Sequence, residues 1–176
     1  MVPTLSIKDT IVQVLAPICG TVEYSEYRGE TTFVVHPHDI VEAARELRDN
    51  PRTKFELLID ITAVDYFRRI HRFEVVYILF SLEYNERICL KVPLDEYEHP
   101  HCPTLTEVYE AANWYERETY DMYGIIFDGH PDLRRFYMPE DFVDPETAEP
   151  LYPLRKDFPL MGIPGSLPMP EKYPRT

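Results

Sequence analysis

The stretch "KFELLIDITAVDYFRRIHRFEVVYILFSLEYNERICLKVPL" (residues 54–94) decides the fold. Segments 54–66 and 72–84 are dense in β-branched and aromatic residues, and their unbroken apolar middles predict central strands covered on both faces. Tyr84-Asn85-Glu86 marks a turn. Beyond it Ile88, Leu90 and Val92 alternate with Arg87, Cys89 and Lys91, the period of two of a strand with one wetter face. A parallel return needs a long crossover, so links this short imply an antiparallel meander.

The neighbouring segments extend this core. "TVEYSEYRGETTFVV" (21–35) predicts two strands about a turn at Arg28-Gly29, and "HPHDIVEAARELRDN" (36–50) an amphipathic helix. Its apolar stripe is Ile40, Ala43, Ala44 and Leu47, and Asn50-Pro51 stops it. Near the N-terminus Ile7, Ile11, Val14 and Ile18 recur at helical spacing beside Lys8 and Asp9, which favours a first helix over an export signal. Downstream, "PTLTEVYEAANWYERETYDMYG" (103–124) predicts another helix. Thr104 and Glu107 suit a capping box, Val108, Ala112, Tyr115, Thr119 and Met122 share one face, and Gly124 is the stop. The opposite face carries Asn113, Arg117 and Asp121, the last two spaced as an i,i+4 ion pair.

From residue 131 onward lie ten of the seventeen prolines. The expected organisation is α+β: a compact domain (1–128) with a largely antiparallel or mixed sheet and flanking helices, then a Pro-rich extended C-terminal segment (129–176). Phe136, Tyr137, Phe142, Leu151, Tyr152, Phe158, Leu160 and Met161 are too many large apolar groups for a free linker. They need a surface, either the domain itself or a partner, and the balance favours an extended segment embracing another subunit. Arg134, Arg135, Arg155 and Lys156 form basic islands there, and arginine's planar fork suits carboxylates and carbonyls.

Composition excludes several functions. A net charge of −13 disfavours a nucleic-acid groove and direct docking on anionic lipid. No apolar run approaches the roughly 18 residues of a membrane span. Cys19, Cys89 and Cys102 are scattered, without CxxC or iron–sulfur spacing, as in a reduced cytoplasmic setting. No nucleotide-binding glycine loop, GxSxG or HExxH occurs. Glu116, Glu118, Asp121 and His130 are candidate acids and bases. On a helix, however, positions 116 and 118 point about 200° apart, so they are no facing dyad, and His130-Pro131 reads as a turn. "DEYEHPHC" (95–102) offers Asp95, Glu96, His99, His101 and Cys102 to zinc, but a proline splits the histidines and a polar surface loop is the better reading.

"ERETYDMYGIIFDGHPDLRR" (116–135) followed by "PLRKDFPL" (153–160) resembles the signature of the C-type subunit family of NADH–quinone oxidoreductase, respiratory complex I. "LLIDITAVDY" (57–66), "RFEVVYILFSL" (72–82), "NERICLKV" (85–92) and "AANWYERE" (111–118) match that family in order and spacing. Tyr120 and Tyr123 stand where members often carry tryptophan and phenylalanine, and segment 138–153 is longer and more acidic than its counterpart. The resemblance is to the separate, non-fused form.

It implies a subunit without catalytic, cofactor or metal residues, in a complex passing electrons from NADH through FMN and iron–sulfur centres of other subunits to quinone, coupled to proton translocation. The implied partners are the quinone-site (D-type) subunit and neighbouring hydrophilic subunits, the B-type one among them. The implied location is peripheral, on the cytoplasmic side of the inner membrane. A homologous subunit of a related membrane-bound dehydrogenase or hydrogenase is the alternative, and an autonomous metal-binding α+β enzyme a more distant one. The expected structural or partner-binding signature is Glu116, Arg117, Glu118 and Asp121 at the junction, Gly124, Gly129, His130 and Pro131 at turns, and Asp132, Arg134 and Arg135 at a chain reversal. Arg155, Lys156 and Asp157 are expected to secure the tail on its partner.

Overall fold

A computed structural model describes residues 6–67, 70–96 and 98–159. Helix α1 (Ile7–Cys19) opens on Ser6, whose hydroxyl accepts the Asp9 N–H, and closes at Gly20. Strands β1 (Glu23–Tyr27) and β2 (Glu30–Val34) form the expected hairpin, with Arg28 and Gly29 both at positive φ (52° and 82°). A 3-10 turn over Pro37–Asp39 leads into α2 (Ile40–Asp49), whose buried stripe is the predicted one.

Strands β3 (Leu57–Asp65), β4 (Phe73–Ser81) and β5 (Glu86–Pro93) form the antiparallel meander. The sheet order is β1-β2-β5-β4-β3, and β2 pairs with β5 in parallel, so the sheet is mixed. The intervening α2, β3 and β4 supply the long return that a parallel pair requires.

Two expectations need correction. Strand β3 is an edge strand, with Leu57 and Ile59 exposed and a register shift between Leu58 and Asp60. Of the three meander strands, only β4 and β5 have a neighbour on each side. Helix α3 spans Ala112–Tyr123 rather than starting near 104. Residues 101–103 instead form β6 (His101–Pro103), paired in parallel with β7 (Ile126–Asp128) across α3. There is no Thr104–Glu107 box, because the Thr104 hydroxyl donates to Glu116 (2.5 Å) and accepts the Thr106 N–H.

One core joins these elements. Phe33, Ile61, Phe73, Tyr77, Leu79 and Leu90 of the sheet meet Ile11 and Leu15 of α1, Ile40 and Leu47 of α2, and Val108, Ala112 and Phe127 around α3. Each large aliphatic side chain buried here contributes about 1.5–3 kcal/mol. Residues 129–159 form no helix, and they pack back on the domain instead of leaving it. Residues 160–176, including Leu160 and Met161, lie outside the described part. Among the described residues no helix is long and apolar enough to cross a membrane.

Candidate functional site

The face of α3 bearing Glu116, Arg117 and Asp121 is buried, not solvated. Asp121 has no exposed surface. Its Oδ1 accepts Arg135 Nη1 at 2.9 Å, and its Oδ2 accepts the backbone N–H groups of Phe136 (3.0 Å), Tyr137 (2.6 Å) and Met138 (2.8 Å). Burial pushes this carboxyl up, yet the donors from Met138, Phe136, Tyr137 and Arg135 outweigh it and hold it below the usual aspartate range.

The expected Arg117–Asp121 pair is therefore replaced. A carboxylate this deep needs more donors than one guanidinium offers, and the reversal at 134–138 supplies them. Arg117 turns to the carbonyls of Arg134 and Arg135 (3.4 Å each) and lies against the rings of both Trp114 (5.0 Å) and Phe136 (5.4 Å). Arg135 also donates to the carbonyls of Phe142 and Leu151, tying three parts of the 129–159 strap together.

A second anchor involves residues that sequence reasoning missed. Asp65 ends β3, and Arg72 precedes β4 across the hairpin. They form a buried two-pronged pair at 3.0 and 2.9 Å. Asp65 Oδ2 also accepts the Lys156 N–H (2.8 Å), while Arg72 reaches Asp157 at 2.8 Å. Leu154 N–H donates to the Met122 carbonyl, and Arg155 Nε to that of Tyr123. So Lys156 and Asp157, expected to grip a partner, grip the chain's own domain. Gly124 (φ 71°) makes this possible: a Cβ there would lie 2.5 Å from the Tyr152 ring and 2.7 Å from Arg155 Nη2. The available signal was an acid closing an apolar strand and an arginine opening the next.

The remaining candidates are spread over separate local contacts. Glu116 accepts the Leu105 N–H (2.6 Å) and the Thr104 hydroxyl; burial raises its pKa to about 7. Glu118 sits half-buried on α3. His130 accepts the Asp132 N–H at Nδ1 and contacts the Asn113 carbonyl through Nε2 (3.1 Å). Gly129 takes positive φ (85°) before Pro131, and Arg134 pairs with Asp132 in the open. His101 meets Asp128 at 2.9 Å, while its neighbour Cys102 is buried against the Tyr77 hydroxyl. Adjacent strand residues point to opposite faces, so these two cannot share an ion. Among the described residues no three His, Cys, Asp or Glu side chains are placed to hold a metal.

The fold recurs in solved structures. The trypsin-resistant fragment (1-134) of Nqo5 is similar at 30% identity and TM-score 0.58, over 73% of this chain and 100% of that one. A chain of the membrane-bound sulfane sulfur reductase, an archaeal respiratory membrane complex, matches at 28% identity and TM-score 0.69, over 89% and 88%. The class is thus a subunit of a respiratory complex. The chain belongs to the family described as respiratory-chain NADH dehydrogenase, 30 Kd subunit, which matches residues 33–164.

Curated relatives agree. The C-type subunit of NADH-quinone oxidoreductase from Methylobacterium radiotolerans is 49% identical over 155 residues, 88% of this chain and 67% of its own length. That of Roseiflexus sp. (strain RS-1) is 49% identical over 136 residues, 77% of this chain and 74% of its own.

Proposed function

We propose that this chain is a non-catalytic structural subunit of the peripheral arm of NADH–quinone oxidoreductase, holding the quinone-site (D-type) subunit against neighbours that include the B-type one. Electrons pass from NADH to quinone through FMN and iron–sulfur centres of the partner subunits. The compact domain (1–128) is the support, and the segment from 129 to 176 is the partner-facing part. On this reading the chain is peripheral, on the cytoplasmic side of the membrane and tied to it through partners, since its −13 charge repels anionic lipid.

The observation that carries this is an exposed aromatic ridge on a rigid base. Trp114 (55% exposed), Phe136 (42%) and Tyr137 (57%) lie in ring contact at 5.2 and 4.5 Å. Arg117 supports them from beneath, and Asp121 fixes the backbone that carries two of them. Trp, Tyr and Arg held rigid are the residues that dominate protein interfaces.

Native purification from gently solubilised membranes tests the reading. The parent chain should co-purify with the quinone-site subunit and the B-type one. Trp114→Ala combined with Tyr137→Ala should lower its recovery with them. The isolated chain should be colourless and should not oxidise NADH. Flavin, stoichiometric iron or intrinsic NADH oxidation in the isolated chain would refute the non-catalytic role.

A further inference from the structure

Between the 98–99 loop and the strap lies a cleft of ≈ 620 Å³. Arg155, Gly124 and Tyr152 form its less exposed part, and Glu98, His99 and Glu149 are exposed around it. Arg155 is held firmly here. Its Nε donates to the Tyr123 carbonyl at 2.5 Å, and its guanidinium lies over the rings of Phe73 (5.0 Å) and Tyr152 (4.5 Å). Those contacts fix the plane of the fork while its two terminal nitrogens make no hydrogen bond or ion pair among the described residues.

The cation is also short of compensation. Arg72, which lines the same cleft, is matched by Asp65 and Asp157, leaving Arg155 without a carboxylate in contact. Burial and then the charge of Arg72 depress the Arg155 pKa, and the charges of Asp157 and Asp65, which make no ion pair with it, offset them only in part.

We propose that this cleft receives one carboxylate side chain from a neighbouring subunit, held by both terminal nitrogens of Arg155. This rests on the chain's role as an assembly subunit and specifies the chemistry of one contact. A planar, pre-oriented fork matches a carboxylate with two parallel hydrogen bonds. Glu98 and Glu149 shape the choice of occupant, since they repel a polyanion and favour basic residues beside the incoming acid. The fitting segment therefore carries a single Asp or Glu flanked by Lys or Arg.

The test uses the intact complex in native membranes. A benzophenone amino acid replacing His99 is photo-crosslinked, and the captured peptide is mapped by mass spectrometry. The expected product is a peptide of another subunit with an acid beside basic residues. Arg155→Asp should then lower intact complex at least tenfold on a native gel, and exchanging the captured acid for arginine should restore at least half. Arg155→Lys, which keeps the charge but not the fork, should lower it several-fold while the purified chain still folds.

A crosslink confined to this chain, a captured peptide lacking a carboxylate, full assembly of the Arg155 variants, or no recovery in the exchange would each overturn the proposal. A parent chain that never enters the complex would instead defeat the assembly role itself.

Discussion

The Asp121 carboxylate and the Arg135 guanidinium stand 2.9 Å apart although fourteen residues separate them, and around this contact the chain turns back on its domain. Arg135 is only 10% exposed and Asp121 not at all, so neither has water as a substitute partner. Asp121→Ala should cost on the order of 3–5 kcal/mol, because a buried cation and three backbone donors lose their acceptor. Arg134→Ala breaks only the exposed pair with Asp132 and should stay within about 0.5 kcal/mol in urea unfolding. The folded pKa of Asp121 is depressed, so its contribution is present above the ordinary aspartate value of 3.8 and is lost as pH falls through the folded value. Equal urea midpoints for Asp121→Ala and Arg134→Ala would contradict this.

Glu116 titrates with the opposite sign. Its folded pKa of about 7 lies above the ordinary glutamate value of 4.5, so folding favours the protonated form and stability falls as pH rises between those values. Glu116→Gln keeps an acceptor for the Leu105 N–H and removes the buried charge. The variant should match the parent near pH 5 and exceed it by about 2–4 kcal/mol at pH 8. Parallel stability–pH curves for the two proteins would show that Glu116 is not held protonated.

Gly124→Ala should separate backbone strain from collision. Gly20 has a similar positive φ (66°) with nothing within 4 Å of an added Cβ, so Gly20→Ala should cost about 1 kcal/mol. At Gly124 the methyl also meets Tyr152 and Arg155, which must move. Limited proteolysis should then cut the Gly124→Ala strap within residues 149–159 faster than the Gly20→Ala strap. Equal cutting would mean that strap and helix end are not packed as described.

The elements written as local periodicity were legible. The stripe Ile40, Ala43, Ala44 and Leu47, the hairpin at Arg28-Gly29 and the alternation Ile88, Leu90, Val92 all fall where the pattern puts them. The parallel β2–β5 pair was not, because pairing between distant strands leaves no mark in either one. Thr104-x-x-Glu107 imitates a capping box, but Glu116, a distant acceptor, takes the hydroxyl. Arg117 and Asp121 have ion-pair spacing, yet a chain reversal thirteen and more residues on offers each a better partner. The motif located the strap's fastenings. It could not say that Lys156 and Asp157 fasten inward to Asp65 and Arg72, since burial decides that direction.

Intact complex and quinone reductase turnover per assembled complex, measured in the same membranes carrying Asp121→Asn, separate an assembly role from a catalytic one. Asparagine keeps the shape of Asp121 and weakens the grip on Arg135 and on the backbone beneath Phe136 and Tyr137. An assembly role predicts several-fold less complex on a native gel, with each surviving complex turning over within about twofold of the parent. Full assembly with turnover a hundredfold slower per complex would contradict it and put α3 and its strap in the reaction machinery.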